Sequence, residues 1–169
     1  MKLILNIAAT AVIAVTSLSI CAQTLSKQQL DQYMGIIGAV TAAQQTTRTL
    51  SQSCARSFPQ LRMQSGKVIT AWNRRNGKYI QQSRQLRKRV YRYLGKLGGN
   101  SQLEQFKKEL HAFTRSQRNS VAGSLYKMKL KEKLYVCGQI LTSIDAGKWD
   151  IETAYPAIHH ALTSMGKKP

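Results

Sequence analysis

Between Asp31 and Glu104 the chain carries no acidic side chain, yet thirteen lysines and arginines stand there: Arg48, Arg56, Arg62, Lys67, Arg74, Arg75, Lys78, Arg84, Arg87, Lys88, Arg89, Arg92 and Lys96. Guanidinium forks pair bidentately with carboxylate or phosphate, and ammonium groups act on the same anions as point charges. A segment of one sign repels itself unless solvent or an anionic partner compensates. The chemistry these residues offer is recognition of anions.

Groups suited to catalysis are sparse. The chain has no GxSxG elbow, HExxH pair, P-loop or glycine-rich dinucleotide turn. Six of its seven acids, Glu104, Glu109, Glu132, Asp145, Asp150 and Glu152, lie in the C-terminal half, and Glu104 and Asp150 read as helix caps. His159 and His160 are adjacent, so on a helix they diverge by about 100° and do not readily share one metal. Glu152 and His159 make an acid–base combination two turns apart, with Pro156 interrupting the helix between them. The expectation is a protein that is not an enzyme, with no metal, no cofactor and no small-molecule substrate.

The first residues read as a secretory signal peptide: Lys2, an apolar run from Leu3 to Val15 broken by Asn6 and Thr10, then a more polar stretch, Thr16 to Ala22. Ile20 and Ala22 fit the −3 and −1 positions, so residues 1–22 form the leader and cleavage falls before Gln23. The run is shorter than the roughly 20 apolar residues of a membrane span, which argues against an uncleaved anchor. Leu18-Ser19-Ile20-Cys21 is an imperfect lipoprotein box, because Ile20 stands where a small residue is needed; lipidation at Cys21 is the alternative. Cleavage before Gln23 removes Cys21 and leaves Cys54 and Cys137. In an oxidising compartment such a pair is most simply a disulfide. It would close a loop of roughly 80 residues, worth about 4–5 kcal/mol in the chain-entropy account. Two buried free thiols are the other reading, and a metal site without a CxxC is weaker still. The remaining 147 residues, 23–169, suit a single domain, and losing Lys2 lowers the formal charge from +19 to +18. The protein is expected in the periplasm or outside the cell.

The elements that must present the basic residues read as helices throughout, since no alternating apolar–polar run is bounded by turn signals. Ser26 and Gln29 form a capping box that opens a first helix ending near Cys54, with a polar tail from Gln44 to Ser53. Ser57 and Gln60 repeat the box at the start of a second, with Pro59 in its first turn. The apolar series Leu61, Val68, Trp72, Tyr79, Leu86, Val90, Leu94 and Leu97 has gaps of 7, 4, 7, 7, 4, 4 and 3, close to a bundle seam. Asn76-Gly77 is the place where this long helix would divide in two. Gly98-Gly99 ends it. Ser101 and Glu104 open a third helix, carrying Leu103, Phe106, Leu110 and Phe113. The pattern resumes from Val121 to Ile144, either across Asn119-Ser120 or after a break there. Gly147 stops it, and Asp150 caps a last helix over Ile151–Met165, whose regular part starts near Tyr155 because of Pro156. Its buried face would be Ala154, Ala157, Ile158, Ala161, Leu162 and Met165. The fold class is all-α, an antiparallel bundle of long helices tied by one disulfide.

Projected at about 100° per residue from Leu61, Val68, Trp72, Tyr79, Leu86, Val90 and Leu97 fall within about 20° of one line. Lys67, Arg74, Lys78, Lys88, Arg89, Arg92 and Lys96 fall between about 180° and 280° from it. With Arg84 and Arg87 they make a cationic band about 43 Å long. Outer faces of bundle helices are commonly just solvated, but with mixed signs that pair at i,i+4. Here Arg84, Lys88, Arg92 and Lys96 repeat one sign at that spacing. Tyr91 either stacks beside Arg84 and Arg87 or packs as a flank residue. Lys127, Lys129, Lys131 and Lys133 form a second, more scattered run. The partner expected is an acidic protein met by an inhibitor, immunity or secretion-accessory protein. Other anionic macromolecules (lipopolysaccharide, anionic lipid, nucleic acid) are the alternative, as is a structural subunit of an envelope secretion machine. The oligomeric state is left open.

Overall fold

A computed structural model describes residues 25–97 and 99–166; the leader and cleavage site expected from the sequence, with Cys21, lie outside them. The described residues form α1 (Lys27–Ser57), a short 3-10 turn (Pro59–Leu61), α2 (Arg62–Arg75), α3 (Gly77–Leu97), α4 (Gly99–Tyr126), α5 (Leu130–Asp145), α6 (Ile151–Ala154) and α7 (Pro156–Gly166), with no strand among them. The all-α bundle expected from the apolar spacings is present.

Helix α1 begins where its capping box places it. The Gln29 N–H donates to Ser26 Oγ at 3.2 Å, and the Ser26 N–H donates to Gln29 Oε1 at 2.8 Å. This helix is the axis of the bundle, packing against α2, α3, α4, α5 and α7. Two hydrogen bonds fix the direction of its neighbours. Gln44 donates to Asn73 Oδ1 at 3.3 Å, and the Tyr93 hydroxyl donates to the Leu25 carbonyl at 3.2 Å. The chain of α2 and α3 therefore runs antiparallel to α1. Helix α4 returns parallel to α1, with Phe113 and Leu110 over Gly38. A methyl group at Gly38 would stand 2.9 Å from the Phe113 ring, so only glycine permits this approach without a shift. Cys54 and Cys137 are bonded, with Cα atoms 5.5 Å apart and neither residue exposed. The bond holds α5 against the last turns of α1. Farther along, the Arg75 guanidinium donates to the Ile144 carbonyl at 2.6 Å, so α5 runs antiparallel to α1.

The core contains Ile36, Ile37, Val40, Leu50, Val68, Trp72, Tyr79, Leu86, Val90, Leu94, Leu141 and Ile144. Its position explains an unexpected feature of α1. The tail read as polar is largely buried, with Thr46, Thr47, Ser51 and Ser53 inside. Small side chains let several helices approach the axis at once, which no single-stripe reading anticipates.

Several helix boundaries differ from expectation. Ser57 does not cap a second helix; it is the last residue of α1, and the 3-10 turn after Phe58 has no side-chain cap. Pro59 starts that turn, because a residue without an N–H loses nothing there. Helix α4 starts at Gly99, whose φ of 70° is the left-handed geometry glycine supplies, rather than at Ser101. Glu104 then accepts from Lys107 Nζ at 2.6 Å, one turn away. The pattern runs through Asn119-Ser120 and breaks instead at Lys127–Lys129. Asn76 does divide the second helix, at φ −96° and ψ 6°. The ladder still crosses it, through Asn76 N–H to Trp72 O and Ile80 N–H to Asn76 O. Gly147, at φ 75°, ends the α5 region. The last helix is split at Tyr155, and only Ala161 and Leu162 of its expected face are fully buried; Ala154, Ala157 and Met165 are exposed.

Candidate anion-binding interface

The apolar line of the second helical segment faces the core. Val68, Trp72, Tyr79, Leu86, Val90 and Leu94 are buried, while Leu61 is half-buried in the 3-10 turn. Opposite that line, Lys67 and Arg74 on α2 and Lys78, Arg84, Lys88, Arg89, Arg92 and Lys96 on α3 are exposed; Arg87 is half-buried. Among the described residues, none of these nine has a salt-bridge partner. The band anticipated from the sequence is brought together on α2 and α3 as a row of uncompensated charge.

Four of the seven acids have partners off the band. Asp150 is bonded to Arg75, Glu104 to Lys107, Glu109 to Gln105 and Glu152 to Tyr79. Of these, Glu152 acts weakly on one residue of the band, Lys78. Arg75 is the exception among the cations of α2, being turned off the band toward the core side. Its Nε lies 2.6 Å from Asp150 Oδ2 and its Nη2 3.2 Å from Oδ1.

That pairing belongs to a clasp the sequence did not announce. Asn76, fully buried, donates from Nδ2 to Trp72 O at 2.9 Å and to Asp150 Oδ1 at 3.0 Å, and its Oδ1 accepts the Ile151 N–H at 2.8 Å. The Trp72 indole N–H donates to Trp149 O at 3.0 Å. Asp150 was expected to cap the last helix; its side chain makes no cap bond, because Arg75 and Asn76 take both oxygens. The clasp lies behind the junction of α2 and α3 and fixes how the two halves of the band meet. An arginine off the basic stripe beside a mid-helix asparagine was the available signal.

Tyr91 is not free to stack on a ligand. It is half-buried edge-on against Phe106, with ring centroids 6.0 Å apart and the Lys107 ammonium 5.8 Å from its ring. Lys78 stands 4.7 Å from the Tyr79 ring centroid. The Tyr79 hydroxyl, and more weakly Glu152, hold its pKa above the ordinary lysine value, so it stays cationic. Glu152 and His159 do meet one residue: Glu152 accepts from the Tyr79 hydroxyl at 3.1 Å, and the His159 ring stands edge-on to Tyr79 with centroids 5.4 Å apart. Tyr79 is buried, while Glu152 is exposed and His159 half-buried. Among the described residues, no three His, Cys, Asp or Glu gather as metal ligands. The concave features beside the band are shallow open grooves. One of about 360 Å³ is lined by Gly66, Lys67, Thr70, Ala71 and Arg74; another of about 380 Å³ lies between Gln44, Asn73, Gly77, Ile80, Gln81 and Arg84.

No protein-family model, curated protein or solved structure matches this chain. Among the described residues, no helix is long and apolar enough to cross a membrane.

The geometry offers an exposed surface bearing Arg forks and Lys point charges.

Proposed function

We propose that this is an exported binding protein that docks an acidic protein through the cationic flank of α2 and α3, in an inhibitory, immunity or secretion-accessory role. One observation carries the reading: Arg84, Lys88, Arg92 and Lys96 repeat at one-turn intervals on α3, exposed and without a salt bridge. Like charges at i,i+4 each cost a helix a few tenths of a kcal/mol. A free surface gains nothing from that arrangement, whereas a partner with a matching acidic strip gains speed and register of association. The disulfide-tied bundle and the Asn76 clasp suit this role by holding the charges in place before the partner arrives.

The test is capture from an envelope extract on the immobilised chain at low and at high salt. A discrete protein of fixed stoichiometry, released by salt and lost in the Lys88→Gln, Arg89→Gln, Arg92→Gln variant, is the expected result. Recovery of no discrete protein at low salt would reject the reading.

The length of the band, about 43 Å along the helix axis, also favours a linear polyanion such as nucleic acid or lipopolysaccharide. That alternative predicts retention on heparin, with log affinity falling linearly against log salt and a shallower slope in the same triple variant. Unchanged retention in the variant removes it.

A further inference from the structure

The apolar stripe of α5 outruns the core it serves. Leu130, Leu134, Cys137, Leu141 and Ile144 recur at spacings of 4, 3, 4 and 3, which is one helix face. Cys137, Leu141 and Ile144 are fully buried, but Leu134 is 37% exposed and Leu130 71%. The disulfide explains why. Cys137 is pinned to Cys54, three residues before α1 ends at Ser57. Because α5 runs antiparallel to α1, its first turn, from Leu130 to about Leu134, projects past the end of the axis helix. Tyr135, 68% exposed, stands about 140° around the helix from Leu130, on a different face. Lys127, Lys129 and Lys131 are exposed around the same end.

We propose that this end of α5 seats the protein on a bilayer surface containing anionic lipid. Leu130 and Leu134 enter the boundary between headgroups and acyl chains, and the three lysines meet lipid phosphates. An apolar patch rimmed by lysine is the arrangement that binds such interfaces, since long ammonium stems reach headgroups while the apolar side chains sink. Residues 127–135 hold lysines and no arginine, whereas α3 holds four arginines. Point charges without a fixed fork suit a fluid layer of headgroups better than one matched protein surface. Glu132, the single acid there, stands about 200° around the helix from Leu130 and so faces away from the layer. A second copy of the chain is a poor occupant, because each carries a formal charge of about +18 after export. The apolar leader is a poor one too, since it joins α1 at the far end, about 40 Å away. This surface is separate from the band on α2 and α3, and neither reading depends on the other.

Co-sedimentation of the exported chain with vesicles of phosphatidylcholine alone, and of phosphatidylcholine mixed with phosphatidylglycerol, tests the idea. Binding is expected to the mixed vesicles and to be weak on the neutral ones. Leu130→Gln with Leu134→Gln keeps every charge and should lower binding at least tenfold. Lys127→Gln, Lys129→Gln and Lys131→Gln together should lower it on the order of a hundredfold. Lys88→Gln, Arg89→Gln and Arg92→Gln remove the same charge and should matter far less. Because the changed side chains are exposed, circular dichroism should show all variants folded. If the leucine pair is without effect, or the two charge-matched triples lose binding equally, the attraction is general and the proposal is overturned. It is also overturned if the leucine pair abolishes capture of an acidic protein while vesicle binding persists.

Discussion

One buried amide joins three elements. Asn76 links the end of α2, the turn before α6 and the start of α6 through bonds to Trp72, Asp150 and Ile151. Replacing it by alanine would strand the Ile151 N–H and remove a partner of Asp150, each a buried polar group left short. Asn76→Ala should therefore destabilise the protein by about 2–4 kcal/mol, read as a lower urea midpoint. An unchanged midpoint would mean the clasp is solvated in solution. The basic residues were readable from the sequence because charge and helical period are local properties. The clasp was not, because its members are 74 and 75 residues apart and Asp150 is equally apt as a cap until a partner is seen.

At the scale of single helices, α3 holds its cations without internal compensation. A glutamate at position 88 would lie one turn from both Arg84 and Arg92. Two favourable i,i+4 pairs would replace two repulsive ones, so Lys88→Glu should raise stability by roughly 0.5–1.5 kcal/mol. The same change should weaken capture of the acidic partner and steepen no salt slope. Thermal unfolding together with the capture assay checks both, and a variant both more stable and equally retained would detach the band from binding. Helix positions were legible wherever apolar residues kept a three–four spacing. Boundaries were less so: Ser57-x-x-Gln60 and Ser101-x-x-Glu104 have the letters of a capping box, but neighbouring glycine, proline and packing decide where a helix starts. The burial of Thr46, Thr47, Ser51 and Ser53 was hidden because small residues carry little apolar signal.

For the molecule as a whole, one covalent link spans 83 residues between the axis helix and α5. In the chain-entropy account it contributes about 4.5 kcal/mol. Cys54→Ser with Cys137→Ser should lose a comparable amount, seen as a large fall in denaturation midpoint, with the helical content retained in native buffer. The pairing was deducible by arithmetic once the leader is set aside; the central place of α1 was not, since the sequence shows which faces are apolar but not which helices share them. Trp72 and Trp149 are the two tryptophans of the chain, and one indole donates to the backbone of the other while that second indole donates to Ser143 at 2.8 Å. Both chromophores thus sit at the seam behind the α2–α3 junction. Native emission is a built-in gauge of that seam: any event that pries it open shifts the light to the red, with no label attached, and one that leaves it closed keeps the colour constant.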